Sequence, residues 1–353
     1  MSNFDQKKIS DFILQVLHPD IIINDNSFPK SDAFWNNLIY FASSHLILPA
    51  FLSSIKSKKL NNYVPKDLIS YLIEISDLNQ KRNIEITSQI KFISDTFKKY
   101  KIEHAFIKGA ALLICKPYNV VKDRMIGDID IIVSKNDILK AQKILFNLNF
   151  KEQKSNDIEF LKNISQKKHL PRLINSKFIS AVELHLNLFE NDYIDLIDID
   201  VIMNQKVLTT DGFYILSKKN LWIHTILNWQ LNDYGYKKNF LSFRSVIDVI
   251  YLDRDNYFMK NFLSNKYLKH FYSLMSVHLN DYPVYYPINK AIYTMNLRFK
   301  LIFKLNHYFY KSADLCKIIF SRTFLFLKSK YYRAVIINNR KILLKKLLYF
   351  WKN

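Results

Sequence analysis

Apolar residues recur at helical spacing through the first hundred positions. Ile9, Phe12, Ile13 and Val16 follow one another at steps of three, one and three, which gathers them on a single stripe of an amphipathic helix. A helix pair is expected around Leu38 and Leu48, and a long charged amphipathic helix from Leu68 to Tyr100. No glycine interrupts this region. From Lys101 the pattern changes to short runs of strand character, EHAFIK (103–108), DIDIIV (128–133) and ISAVELHLNL (179–188), with helical segments at 109–115 and 136–148 between them. Beyond a turn-like patch from Thr209 to Gly212, helical periodicity returns between Lys219 and Tyr251. Trp222, Ile226, Trp229, Leu241, Val246, Ile247 and Ile250 are its core candidates, and the remainder also reads as helix.

The order predicts an α+β chain. We divide it into a helical N-terminal region (1–100), an α/β core (101–215), a helical C-terminal region (216–297) and a basic, aromatic-rich helical tail (298–353). Neither a Gly/Ser-rich linker nor a solenoid repeat marks these borders. A chain of 353 residues can bury a sizeable core without staples. Its two cysteines, Cys115 and Cys316, argue against a disulfide framework or a cysteine-built metal site and suggest a reducing compartment. Asp5, Lys7, Lys8 and Asp11 precede any long apolar run, unlike the layout of a signal peptide, so a cytoplasmic protein is expected. The stretch from Ala33 to Ile55 carries no formal charge, but Asn36, Asn37, Ser43, Ser44, His45 and Pro49 would be costly in hydrocarbon. A buried helix pair is expected there.

The formal charge is +21. Basicity of this size calls for an anionic partner, yet abundant Lys, Asn, Ile, Phe and Tyr beside only four glycines also looks like drift in residue usage. Residues 298–353 hold 14 Lys or Arg against one acid, Asp314, interleaved with aromatics such as Phe299, Tyr310, Phe324 and Trp351. Such a tail suits an anionic membrane surface or a nucleic-acid backbone such as RNA, and equally a solvated basic face packed by its aromatic side. Peripheral membrane association follows from the first of these.

The chemistry concentrates between Lys108 and Val133. Gly109 follows a strand-like run and opens a helix, a place where free backbone N–H groups and the helix dipole favour phosphate, although a simple tight turn needs a glycine too. Lys108 beside it either neutralises phosphate or snorkels. Asp128 and Asp130 stand two apart in a strand and share a face, so they can hold one or two divalent cations. Glu183, flanked by Val182 and Leu184, is a third acid in a second apolar strand, with His185 on its face. Ionised carboxylates among core residues are expensive without a cation.

This combination resembles the polymerase-β-type nucleotidyltransferase superfamily: strand, glycine-containing turn, helix, Asp-x-Asp in the next strand, and a third acid in a later one. More narrowly, FWNNLIYFASSHLILPAFLSSI, IEHAFIKGAAL, Tyr118 and Arg124 ahead of GDIDIIV, then VELHLNL, IHTILNWQ and FRSVIDVIYL resemble a family of uncharacterised nucleotidyltransferases. The last hundred residues are not covered. The better-known superfamily members carry Gly-Ser at the turn, where this chain has Gly109-Ala110, and a shorter interval to the first aspartate.

The resemblance implies the small mixed sheet of the polymerase-β nucleotidyltransferase type. Asp128 and Asp130 become metal ligands for Mg2+ or Mn2+, and Glu183 the third ligand or the base. Gly109 becomes the triphosphate turn. Lys108 and Arg124 are candidates for stabilising the leaving pyrophosphate, or form surface salt bridges. His185 positions Glu183 or the nucleotide, or is a satisfied core histidine. Tyr118 is a weak candidate for base stacking, and Asp248 with Arg244 reads as an intrahelical pair.

The expected activity is metal-dependent transfer of a nucleoside monophosphate from an NTP to a hydroxyl acceptor, releasing pyrophosphate. A small molecule or sugar, an RNA end or a protein side chain would serve as acceptor. The rivals are a catalytically inactive relative that keeps the scaffold, and a basic RNA- or membrane-binding protein. The enzymatic reading requires the three carboxylates to converge. Glu183 on the far side of the sheet, or a lysine or arginine filling the pocket, would remove it.

Overall fold

The computed structural model describes residues 6–24, 28–117, 121–153, 168–190, 193 and 196–288, with scattered positions from 293 to 328. Tyr118 and most of the basic tail lie outside the described residues.

The N-terminal helices form as their patterns predict. Helix α1 (Gln6–Leu17) buries Ile9, Phe12, Ile13 and Val16 against α2 (Asp32–Ser44) and α3 (Leu48–Ser57). The Ser31 side chain accepts from the Phe34 amide to cap α2, and Pro49 occupies the first turn of α3, where no amide partner is needed. Leu38, Phe51, Leu52 and Ile55 are fully buried. The uncharged stretch is therefore a core helix pair, and no helix among the described residues is long and apolar enough to cross a membrane.

Helix α4 (Lys66–Lys99) runs for 34 residues, and the stripe it buries is unusual. Leu68, Leu72, Ile86, Ile90, Ile93 and Phe97 alternate with buried Ser76, Asn79, Asn83 and Gln89. Buried amides need partners, and here they find the backbone of two loops. Asn83 Nδ2 donates to the carbonyls of Val121 and Arg124 at 2.6 and 2.9 Å, and Asn79 Nδ2 to that of Lys122 at 2.7 Å. Arg82 adds bonds to the carbonyls of Ile126 and Gly127, both at 3.2 Å. Gln89 exchanges two bonds with the Ser180 backbone. The helix thus holds the segment that leads into Asp128 and the one that leads into the strand of Glu183.

That helix feeds a seven-stranded mixed sheet. In chain order the strands are β1 (His104–Phe106), β2 (Ile129–Val133), β3 (Lys151–Glu152), β4 (Leu173–Ile174), β5 (Val182–His185), β6 (Val207–Leu208) and β7 (Tyr214–Ile215). Their spatial order is β3-β4-β5-β2-β1-β7-β6, which puts β2 at the centre. β2 runs antiparallel to β1 and parallel to β5, and the register sets Asp130 beside Glu183 and Ile132 beside His185. Helix α5 (Lys108–Cys115) joins β1 to β2, and α6 (Ile138–Asn147) packs on β5. The turn patch at 209–212 closes a β6–β7 hairpin, with Gly212 in the left-handed region at φ +81°. Strands β3, β4, β6 and β7 have only two residues each, too short for an alternating pattern to announce them.

After α7 (Ile199–Asn204), the C-terminal helices are α8 (Lys218–Leu227), α9 (Gly235–Lys238), α10 (Phe243–Leu252), α11 (Tyr257–Phe262) and α12 (Lys266–Met275). Trp222, Ile226, Leu241, Val246, Ile247 and Ile250 are buried as expected, and Trp229 partly so. Buried apolar residues from the N-terminal helices, the sheet and these helices form one continuous core.

That core also holds histidines. His270 is buried, with Nε2 3.1 Å from Asn239 Oδ1 and Nδ1 3.4 Å from Gln230 Nε2, an arrangement the neutral ring satisfies. Burial pushes its pKa down to about 4 and lowers those of His104 and His224 as well. In the unfolded chain each returns to about 6.5. Between these limits the unfolded state binds more protons, so stability present above pH 6.5 is lost as pH falls toward 4, by roughly 1.4 kcal/mol per pH unit for each excess proton. Urea unfolding followed from pH 7.5 to 4.5 should show this loss. His270→Gln should make its pH dependence shallower, and an unchanged slope would exclude His270 as a contributor.

Candidate active site

A cleft of about 440 Å3 opens between the central strands and the C-terminal helices. Lys108, Gly109, Arg124, Asp128, Asp130 and Glu183 all line it. Only His185, of the seven residues singled out from the sequence, lies behind the wall, and it is fully buried.

Asp130 is the centre of the arrangement. It sits on the middle strand at 6% exposure. Its Oδ1 accepts from Lys108 Nζ at 2.5 Å and lies 2.8 Å from His185 Nε2. Glu183 Oε2 is 3.6 Å from the same His185 nitrogen. Burial works to raise the pKa of Asp130, but the Lys108 ammonium and the His185 bond outweigh it and hold the carboxyl far below the usual range. Glu183 follows the same balance: burial raises, the His185 contact lowers, and the net shift is downward. Both acids are ionised at neutral pH. His185 is shifted down by burial and by Lys108, so its ring is neutral there. The ring is bonded to Asp130 and stands beside Glu183.

Asp128 lies just ahead of β2, and its carboxylate turns to Arg172, whose Nη2 donates to Oδ1. Burial raises its pKa, with Arg172 pulling the other way and Glu183 and Asp130 adding repulsion. The three expected carboxylates therefore border one cleft. Among the described residues, the group whose potential ligand atoms lie mutually within 4.8 Å is Asp130, Glu183 and His185, which leaves out the expected ligand Asp128. Two carboxylates suit a hard divalent cation, and the imidazole beside them, bonded to Asp130, is the less suited donor for one. Glu183 stands on the required side of the sheet. Lysine and arginine do reach the aspartates, but the cleft remains beside them, so they cover the carboxylates without filling it.

The backbone at the turn is strained at one residue. The left-handed conformation belongs to Lys108, at φ +52°, while Gly109 has ordinary backbone angles. A non-glycine residue there carries roughly 1–2 kcal/mol of strain. A Cβ on Gly109 would come within 3.3 Å of the Ile126 side chain, so the glycine allows α5 to pack on the segment leading to Asp128. Arg124 is placed differently from a phosphate ligand. Nε and Nη2 donate to the two oxygens of Asp248 at 2.7 and 2.9 Å, and Nη1 donates to the Met125 carbonyl. Asp248, read as the partner of Arg244 on its own helix, is thus tied to a residue 124 positions away.

Sequence reasoning missed the opposite wall. Between α8 and α9 the chain makes a π-helical turn, Asn228–Asn232, in which the Asp233 amide bonds to the Asn228 carbonyl at 3.3 Å. Such widened turns place side chains that a regular helix would not. Asn228, Trp229, Asn232 and Asp233 all face the cleft. Trp229 Nε1 donates to the Phe240 carbonyl at 2.8 Å, and a Cβ on Gly235 would strike that ring nitrogen at 2.4 Å. Arg172 and Lys168 were also missed, because neither stands in a motif. The tryptophan was visible in IHTILNWQ, but only as an apolar helix position.

A family model described as uncharacterised nucleotidyltransferase matches residues 31–260. The chain belongs to this nucleotidyltransferase family. The matched span runs from the start of α2 into α11 and contains every residue of the cleft, from Lys108 to Asp248. No curated protein matches the sequence. The α+β fold with its mixed sheet agrees with nucleotidyltransferase membership.

The Arg124–Asp248 pair forms part of the cleft wall. Both side chains are buried, at 10% and 4% exposure. Removing one partner strips a buried charge of its bidentate counter-ion, a loss of about 3–5 kcal/mol. Arg124→Met should therefore lower the urea midpoint strongly, and the double variant Arg124→Met/Asp248→Leu should recover much of it. Equal destabilisation in the single and double variants would show that the charge pair is not what matters there.

Proposed function

We propose that the protein is a metal-dependent nucleotidyltransferase that moves a nucleoside monophosphate from an NTP to a hydroxyl acceptor. The observation that supports this most is that Lys108, Gly109, Asp128, Asp130 and Glu183, drawn from separate elements, line a single cleft. In the reaction, the acceptor oxygen bonds to the α-phosphorus while the bond to the bridging α–β oxygen breaks, and pyrophosphate leaves with that electron pair. Glu183, ionised and lined up beside Asp130, takes the hydroxyl proton or completes the ligand set. Asp128 and Asp130 would hold Mg2+ or Mn2+. A bound divalent cation supplies charge neutralisation on the phosphates and makes the hydroxyl easier to deprotonate. Lys108, at the mouth of α5, faces the triphosphate, and the first turn of that helix offers its free amides. His185 keeps the carboxylates in register.

The acceptor is a small molecule or sugar, an RNA end or a protein side chain. The basic tail at 298–353 is the proposed contact for a polyanion, RNA or an anionic membrane surface, with the protein otherwise in the cytoplasm.

One observation favours a second reading. Both aspartates already have a basic partner, Lys108 for Asp130 and Arg172 for Asp128. A catalytically inactive relative that uses the scaffold to bind nucleotide would look like this too. Incubation with each α-labelled NTP, Mg2+ or Mn2+ and total cell extract separates the two. Label should pass to a metabolite or macromolecule with the wild type. Asp128→Asn, at the more exposed carboxylate, should reduce transfer at least a hundredfold while the protein stays folded, and Asp130→Asn should abolish it. Nucleotide binding without any labelled product in every extract would establish the inactive scaffold instead.

A further inference from the structure

We propose that Arg172 and Lys108 are exchangeable counter-ions: each covers one aspartate until a nucleoside triphosphate arrives with its divalent cation, and each then moves onto phosphate oxygens. Arg172 thereby takes the substrate-binding role that sequence suggested for Arg124. This assignment rests on the nucleotidyltransferase reading of the cleft.

The first argument is the state of the two arginines. Every guanidinium nitrogen of Arg124 is committed, two to Asp248 and one to the Met125 carbonyl, and its side chain is only 10% exposed. Turning it toward a phosphate would leave Asp248 buried without that pairing. Arg172 is held far more lightly. Its side chain is 39% exposed, Nη2 meets Asp128 Oδ1, and Nε is buried with no partner. Its backbone is fixed, since the Arg172 carbonyl accepts from the Gln153 amide at 2.8 Å next to β4. The anchored residue is not itself in the cleft wall, but its long, part-exposed side chain reaches Asp128, which is. A planar guanidinium matches phosphate oxygens as well as it matches a carboxylate.

The second argument is electrostatic. Lys108 Nζ stands 2.5 Å from Asp130 Oδ1, the oxygen that His185 also orients. A divalent cation on Asp130 or Asp128 repels the ammonium and the guanidinium from the oxygens they now hold. A cation arriving alone leaves both basic groups without an anion. A cation arriving with a triphosphate brings the replacement partner along. Metal and nucleotide must then bind with positive coupling, and the coupling is reciprocal. Lys108 is suited to the move: its left-handed backbone sets the side chain at the very start of α5, and it is 23% exposed on the cleft wall.

Removing a counter-ion should have opposite effects on the two ligands, which a merely structural role would not produce. Mn2+ binding to the full chain can be followed by electron paramagnetic resonance, with and without the non-hydrolysable α,β-methylene analogues of ATP, GTP, CTP and UTP. Without nucleotide, Arg172→Gln and Lys108→Gln should each bind Mn2+ at least threefold more tightly than wild type. With the analogue that the wild type accepts, each should bind the Mn2+–nucleotide complex at least tenfold more weakly, and Arg172→Lys should restore part of this loss. Unchanged or weaker Mn2+ binding by Arg172→Gln without nucleotide overturns the exchange, as does unchanged affinity for the complex. A wild type that binds Mn2+ but none of the four analogues overturns the nucleotidyltransferase reading itself.

Discussion

The structure around the cleft is organised by one ionised carboxylate on the central strand of a sheet. Asp130 is almost excluded from water, and a buried negative charge persists only if neighbours compensate it. Lys108 supplies the opposite charge and His185 the orienting bond, and Glu183 shares the imidazole from the adjoining strand. The parallel pairing of β2 with β5 makes this possible, because its register sets Asp130 directly beside Glu183. A slip of one residue would turn Glu183 to the other face of the sheet. Register is therefore part of the chemistry and not only of the fold.

The segments that enter β2 and β5 are both bonded to a helix that carries none of the three carboxylates. Buried amides on α4 bind the backbone carbonyls between Val121 and Arg124, and Gln89 does the same for Ser180 at the approach to β5. The irregular segments leading into both acid-bearing strands thereby gain partners for their backbone groups. The polar stripe would be a defect in a helix that only packed against a core. Here it gives the loops the partners that neither strand nor helix offers them.

The family assignment and the site geometry support each other at different levels. The family match fixes the kind of protein and covers the whole cleft. The structure adds what the family description does not contain: which arginine is tied down, which basic side chains meet the aspartates, and a second wall built on a π-helical turn with Trp229 seated against Gly235. The buried Arg124–Asp248 pair joins the approach to β2 to helix α10. That makes the cleft a product of the sheet and the C-terminal helices together.

Much of this was legible in the sequence, because local periodicity is a property of neighbouring residues. The spacing of Ile9, Phe12, Ile13 and Val16 specifies a helix, Asp128 and Asp130 fall on one side of an extended run, and the order of glycine turn, Asp-x-Asp and later acid pointed to the right family. Two-residue strands carry no period and were invisible. Contacts across long stretches of chain were equally hidden. Nothing near Arg124 indicates that Asp248 will occupy it, nothing near Arg172 indicates Asp128, and nothing near Lys108 indicates its left-handed backbone. The sequence by itself determined the elements and the inventory of charged groups. Only the tertiary structure decided which opposite charges meet, because folding brings distant segments within hydrogen-bond reach, and for the buried Arg124–Asp248 pair it also removes most of the screening water.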